Sequence, residues 1–156
     1  MIEFESTQRA LVCLGAFASF GFAALGSVIG CGLAAASAIG SWKRCYAQGK
    51  PAPFQLSILT GVPMSQTFYG MILMNTVAGI PNQYWLAALA IGILGGLGIG
   101  GSAAYQGRAA AGACDSFAET NQGFANNLLA LGIVETIAIF VMVFGLMFIG
   151  KISVAA

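Results

Sequence analysis

Glu135 is the residue in this sequence most able to do chemistry, because about fifteen uncharged residues flank it on either side. An ionised carboxylate at the middle of a membrane costs at least roughly 2.5–3.5 kcal/mol on insertion scales, so a proton, a bound cation or a basic partner must offset it. Such an acid marks an ion path, or else it is a protonated side chain hydrogen-bonded to a neighbouring helix. Other polar residues stand where they can join it. Val62, Ser65, Gln66 and Tyr69 recur at i, i+3, i+4 and i+7, which is one face of a helix. Pro63 has no N–H and clashes with the turn before it, so carbonyls nearby are tilted or freed.

Height can be read from the turns. Positions equally far from the turn of an antiparallel hairpin lie at one level. Gln106 and Glu135 are centred near Asn121, and Gln66 and Cys31 near Gln48 and Gly49. Gln66, Gln106 and Glu135 are therefore expected in one layer, together with a hydroxyl and a loosened carbonyl. Hard cations take several oxygen ligands, and one carboxylate balances one monovalent ion. A bare proton needs only the carboxylate and one acceptor. Two glutamines beside the acid thus favour sodium over a proton; hydrogen bonding between helices is their other use.

The elements that must hold this layer are membrane helices. Of the 156 residues 58% are hydrophobic and only 7% charged, with a mean hydropathy of +0.87. A soluble domain carries about 25% charged residues, so this chain lacks the polar surface to stand in water. The net charge of +1 and the scattered lysines and arginines make no basic patch for nucleic acid. There is no histidine, the usual haem, zinc or copper ligand. Cys13, Cys31, Cys45 and Cys114 form no C-x-x-C pair and read mostly as small apolar filler. The start, Met1-Ile2-Glu3-Phe4-Glu5, is acidic and leads into an apolar run longer than a signal peptide needs. The first hydrophobic stretch is accordingly expected to be a mature helix.

Uncharged runs and their breaks predict four transmembrane helices: about 9–41, 53–78, 84–114 and 124–150. They pair as two fused helical hairpins, about 9–78 and 84–150, in one all-α membrane domain covering residues 1–156. The halves resemble each other. Ala34-Ala35-Ala36 after Gly30 and Gly32 is answered by Ala109-Ala110-Ala111 after Gly107, and Gln66-Thr67 by Glu135-Thr136. Each hairpin starts on the same side, so the duplication is parallel, unlike the inverted repeats of many transporters. Gly26, Gly30 and Ala34 on the first helix, and Gly92, Gly96 and Gly100 on the third, form stripes that let helix backbones approach closely. The second and fourth helices carry bulk instead, such as Phe68, Met71, Phe140 and Phe144. Either these helices make a monomeric bundle, or the first and third line a ring's inner wall while the others face lipid.

Charge sets the orientation. Lys43, Arg44, Lys50 and Arg108 flank the first and third connections, and Arg9 and Lys151 lie on the other side. The positive-inside rule then places loops 43–51 and 115–123 in the cytoplasm and both termini outside a cell membrane crossed several times. Trp42 and Tyr46 at one end, with Tyr84 and Trp85 at the other, suit interfacial anchors.

These features together resemble the rotor-ring proteolipid, or K subunit, of V-type ATPases, over nearly the whole chain. Pro63-Met64-Ser65-Gln66-Thr67-Phe68-Tyr69-Gly70 is similar to the sodium-type Pro-Gly-Thr-Gln-Gly-x-Tyr-Gly. Ala104-Tyr105-Gln106-Gly107-Arg108-Ala109-Ala110-Ala111 resembles that type's third-helix segment, and Val134-Glu135-Thr136 the fourth-helix acid. Ser65 stands where threonine is usual, and Met64 and Thr67 replace glycines. The resemblance implies a c-type ring of identical subunits in which Na+ is held by Val62 (main-chain carbonyl), Ser65, Gln66, Gln106 and Glu135, with Tyr69 closing the glutamate. It further implies a stator membrane subunit with an essential arginine, central-stalk subunits and surrounding lipid. The chain itself would be non-catalytic, having no phosphate-binding loop of its own. The rival readings are a proton-coupled ring, a small four-helix cation or drug exporter and a purely structural proteolipid. The position of Arg108, two residues from Gln106, is left open between the cytoplasmic side and a ring interior.

Overall fold

Long uncharged runs fold as helices because a lipid environment leaves the backbone no other partner for its N–H and C=O groups. The computed structural model describes residues 2–154. It contains α1 (Ile2–Ala47), α2 (Gln55–Gly61), α3 (Ser65–Val77), α4 (Trp85–Thr120) and α5 (Phe124–Val154), with 3₁₀ turns at Val62–Met64 and Asn82–Tyr84 and no strand among the described residues. Three helices are long and apolar enough to cross a membrane. The expected second span is composite. Pro63 cannot donate to the turn before it, and the chain passes from α2 through the 3₁₀ turn into α3. The other helices overrun their expected limits. α1 starts well before residue 9, with Glu3 and Glu5 in its first turn, where carboxylates suit the positive end of the helix dipole.

α1 and α4 form the axis of the fold and run parallel. Gly15 meets Ala88 and Gly92, Gly30 meets Ala103 and Gly107, and Ser37 Oγ donates to Ala111 O at 2.7 Å. Beyond them Arg44 bridges to Asp115 at 2.8 Å and Glu119 at 2.5 Å. A Cβ at Gly92 or Gly107 would fall on the backbone of Gly15 or Gly30. The glycine stripes thus allow a contact between backbones that larger residues forbid, and dispersion accumulates along it. The parallel course is the one the internal repeat predicts.

α3 runs antiparallel to α1. Gly70 lies against Ala23 and Pro63 against Gly30, while Arg9 Nη1 donates to Ala78 O at 3.0 Å beside the end of α3. α5 runs antiparallel to α4 after a tight turn in which Asn121 (φ 51°) and Gly123 (φ 76°) take left-handed backbone. Asparagine and glycine are the residues that tolerate that conformation. α5 leaves Leu129, Ile133, Ile137, Phe140 and Phe144 exposed, and α3 exposes Phe68, Met71 and Ile72. Phe17, Leu25 and Val28 of α1 and Leu94 and Leu97 of α4 are exposed as well. Apolar surface on every side is what a chain surrounded by lipid or by other chains presents.

The buried residues fall into two apolar clusters. One holds Val12, Ala16, Leu73, Val77, Ile99 and Ala138; the other holds Ala34, Ala38, Leu56, Leu59, Ala110 and Leu131. Between them lie Ser27, Gln66, Ser102, Gln106 and Glu135. Of the four cysteines, Cys45 and Cys114 are buried, Cys31 is half-buried, and Cys13 is exposed and fills no gap.

Candidate functional site

The break in the second span shapes the site. In an unbroken helix Val62 O would receive the N–H of Gln66. In the 3₁₀ turn it receives the N–H of Ser65, and the Ser65 hydroxyl lies 3.1 Å away as well. Pro63 is buried against Gly30, whose missing side chain leaves room for the turn. Met64 is exposed and Thr67 half-buried, so the two departures from glycine point bulk to the outside of the segment.

Glu135 sits half-buried on α5 and faces this break. Its Oε1 lies 2.6 Å from Ser65 Oγ and 2.7 Å from the Tyr69 hydroxyl, both on one helical face of the broken segment. Gln106 Nε2 approaches Oε2 at 3.4 Å and donates to Leu131 O at 3.0 Å. Gln66 Nε2 donates to Gln106 Oε1 at 2.7 Å, and both glutamines are fully buried. The structure therefore brings together Val62, Ser65, Gln66, Tyr69, Gln106 and Glu135 from three segments.

The count of protons against acceptors matters most here. Ser65 Oγ is within 3.2 Å of three oxygens: Val62 O, Gln66 Oε1 and Glu135 Oε1. A hydroxyl has one proton to donate. Four oxygens converge here; Val62 O also receives the Ser65 N–H and Glu135 Oε1 the Tyr69 hydroxyl. The Gln106 oxygen is directed to Gln66 and its nitrogen to the carboxylate. For Gln106 to offer oxygen to an ion, the two amides must turn over.

Sequence reasoning misses two serines in the same layer. Ser102 Oγ donates to Val134 O at 2.8 Å, and Ser27 Oγ is buried without a hydrogen-bond partner. The signal for Ser102 is its spacing of one helical turn from Gln106. Arg108 is exposed on α4 with its guanidinium over the Tyr105 ring, 5.9 Å from the centroid, in a shallow cleft lined also by Ile29 and Leu33. It belongs to the exposed α1–α4 face. Among the described residues no group of three or more histidine, cysteine, aspartate or glutamate side chains could hold a metal ion; the oxygen cluster has one carboxylate and otherwise neutral groups.

Residues 89–148 match the family model for the ATP synthase C subunit. The matched stretch runs from α4 into α5 and contains Ser102, Gln106 and Glu135. The second hairpin is thus similar to that family. Together with the three apolar helices, the match supports a membrane rotor proteolipid, a kind of subunit that is not itself an enzyme. Comparison with curated proteins finds no match.

Proposed function

We propose that the chain is an ion-carrying subunit of a V-type ATPase rotor ring, holding Na+ at Glu135 while ATP hydrolysis elsewhere in the complex turns the ring. The observation that carries this reading is the convergence of Val62 O, Gln66 Oε1 and Glu135 Oε1 on the single hydroxyl of Ser65. A sodium ion among these oxygens would be coordinated by several of them at once, and its charge cancels that of the carboxylate. Turning over the amides of Gln66 and Gln106 exchanges the Gln66 oxygen for that of Gln106 at the ion, so the oxygens there still number four. Tyr69 keeps the carboxylate facing the ion by donating to Oε1.

The rest of the cycle follows from charge. Glu135 lies beside the exposed Ile133 and Ile137 of α5, so a ring of these chains carries its sites near the lipid boundary. With the ion bound, the site is neutral and passes through lipid at small cost; emptied, it is an ionised carboxylate that lipid rejects. An arginine of a stator membrane subunit would meet the emptied site, and central-stalk subunits would contact the loops 43–51 and 115–123 on the cytoplasmic side. Identical subunits complete the ring, and the exposed apolar faces of α1 and α4 line its interior.

A proton-coupled ring is the second reading, and the amide direction of Gln106 favours it. An N–H aimed at the carboxylate and an oxygen already taken by Gln66 form a closed network that needs no ion. Carbodiimide labelling of isolated rings separates the two. At neutral pH, protection of Glu135 by sodium but not by potassium supports the sodium reading. Labelling that responds to pH alone rejects it in favour of the proton.

A further inference from the structure

The second hairpin carries contacts around Glu135 that the ligand cluster does not use. Ser102 Oγ donates to Val134 O at 2.8 Å, and Gln106 Nε2 donates to Leu131 O at 3.0 Å. Ser102 and Gln106 stand four residues apart on α4 and so lie one above the other on one face. Leu131 and Val134 are in the turn of α5 that leads into Glu135. The two bonds tie α5 to α4 at both ends of that turn, and the Ser102 bond is the one that stays if Gln106 turns its oxygen to the ion. Neither takes a partner from the backbone ladder, because a carbonyl has two lone pairs.

The surrounding packing does not fix α5 by itself. Leu131 and Ala138 are its buried contacts near the site, and most of its circumference is exposed apolar surface. A smooth apolar face lets a helix rotate with little change in energy, whereas a hydrogen bond between helices specifies one rotation. Such bonds in membranes shift an equilibrium about threefold on average and up to about twentyfold. A rotation of α5 about its axis would swing Glu135 away from Ser65 and Tyr69.

The duplication supplies a comparison within the same chain. The alignment that sets Ala34-Ala35-Ala36 on Ala109-Ala110-Ala111 sets Cys31 on Gln106 and Ser27 on Ser102. Ser27 is as buried as Ser102, at 5% and 8% exposed, yet its hydroxyl has no partner among the described residues. Cys31 has no amide with which to make the other tie. The hairpin without a carboxylate therefore lacks both bonds, and the hairpin with Glu135 has both.

We propose that Ser102 is a positioning residue for the ion site, holding α5 through Val134 O in the rotation that turns Glu135 toward Ser65 and Tyr69. The inference rests on the reading of Glu135 as a sodium carrier and adds to it a residue that touches neither ion nor carboxylate. The experiment measures, in intact rings at neutral pH, the sodium concentration that half-protects Glu135 from carbodiimide. Ser102→Ala should raise it roughly three- to tenfold, the loss expected for one hydrogen bond. Ser102→Thr, which keeps the hydroxyl, should restore the midpoint to near the wild-type value, and Ser27→Ala should leave it unmoved. Should Ser102→Ala fail to assemble, Ser102→Cys, a weaker donor, is read the same way. An unmoved midpoint in the Ser102 variant, or an equal shift in Ser27→Ala, overturns this inference alone. Absence of sodium protection in the wild-type protein overturns the sodium reading and this inference with it.

Discussion

At the scale of single residues, the proposed site depends on oxygens from several side chains meeting at Ser65 and Glu135. Glu135→Gln replaces the carboxylate of the layer with a neutral amide of similar shape. Sodium binding and transport should both be lost while rings still assemble, as gel filtration of the purified protein would show; loss of assembly would make the residue structural instead. Tyr69→Phe removes one of the two hydroxyls that reach Oε1 and leaves the ring in place. A hydrogen bond to a charged group is worth about 1.5–3 kcal/mol, so sodium affinity should fall about tenfold or more, measured by the same protection assay. Much of this site is legible in the sequence. Val62, Ser65, Gln66 and Tyr69 share a helical face by spacing alone, and the turn positions put Gln106 level with Glu135. The direction of the Gln106 amide is not legible, because spacing fixes where a side chain stands and not which of its two ends meets a partner. Ser102 is hidden for a related reason: a serine in a stripe of small residues reads as packing until the carbonyl it meets is known.

At the scale of elements, the broken second span and the α1–α4 contact make separate demands on the sequence. Pro63 converts a regular helix into two pieces joined by a 3₁₀ turn, and Val62 O faces Ser65 as a result. Pro63→Ala restores an N–H that can donate to Leu59 O, so the turn can become regular helix with Val62 O paired to Gln66 N–H. Sodium affinity should then fall while the melting temperature of the ring holds; unchanged affinity would show that the carbonyl is no ligand. Gly107→Leu tests the other demand. Its side chain would enter the backbone of Gly30, and overpacking costs about 1–3 kcal/mol or more. The yield of assembled rings should drop sharply, whereas Gly40→Ala, which meets nothing within 4 Å, should match the wild type. The helices are readable because uncharged runs of this length have one common solution in lipid. Their ends are not: α1 and α4 continue through charged residues, since an amphiphilic end beyond the membrane costs a helix little. The proline is visible as a weak point, but the split into α2 and α3 depends on Gly30 opposite it, a residue of another helix.

At the scale of the whole molecule, the parallel repeat puts both charged connections at one end, where residues 50–53 and 118–121 line one cleft. The proposed orientation has this end in the cytoplasm. An impermeant amine reagent should therefore modify Lys43 and Lys50 in inverted vesicles and Lys151 in right-side-out ones; the opposite pattern reverses the topology. The duplication, the small-residue stripes and the bulky outer helices are all visible in the sequence. What it cannot supply is the pair of apolar clusters that enclose the polar layer, and the place of Ser27 and Ser102 in it, which arise only when four segments are set side by side. The proposed role of that polar layer is to hold an ion, and sodium occupancy is its sharpest test. Equilibrium uptake of radioactive sodium by purified rings should saturate at about one ion per chain, the charge of one carboxylate, and vanish in Glu135→Gln. Rings that take up no sodium at neutral pH, or uptake that survives Glu135→Gln, would contradict it.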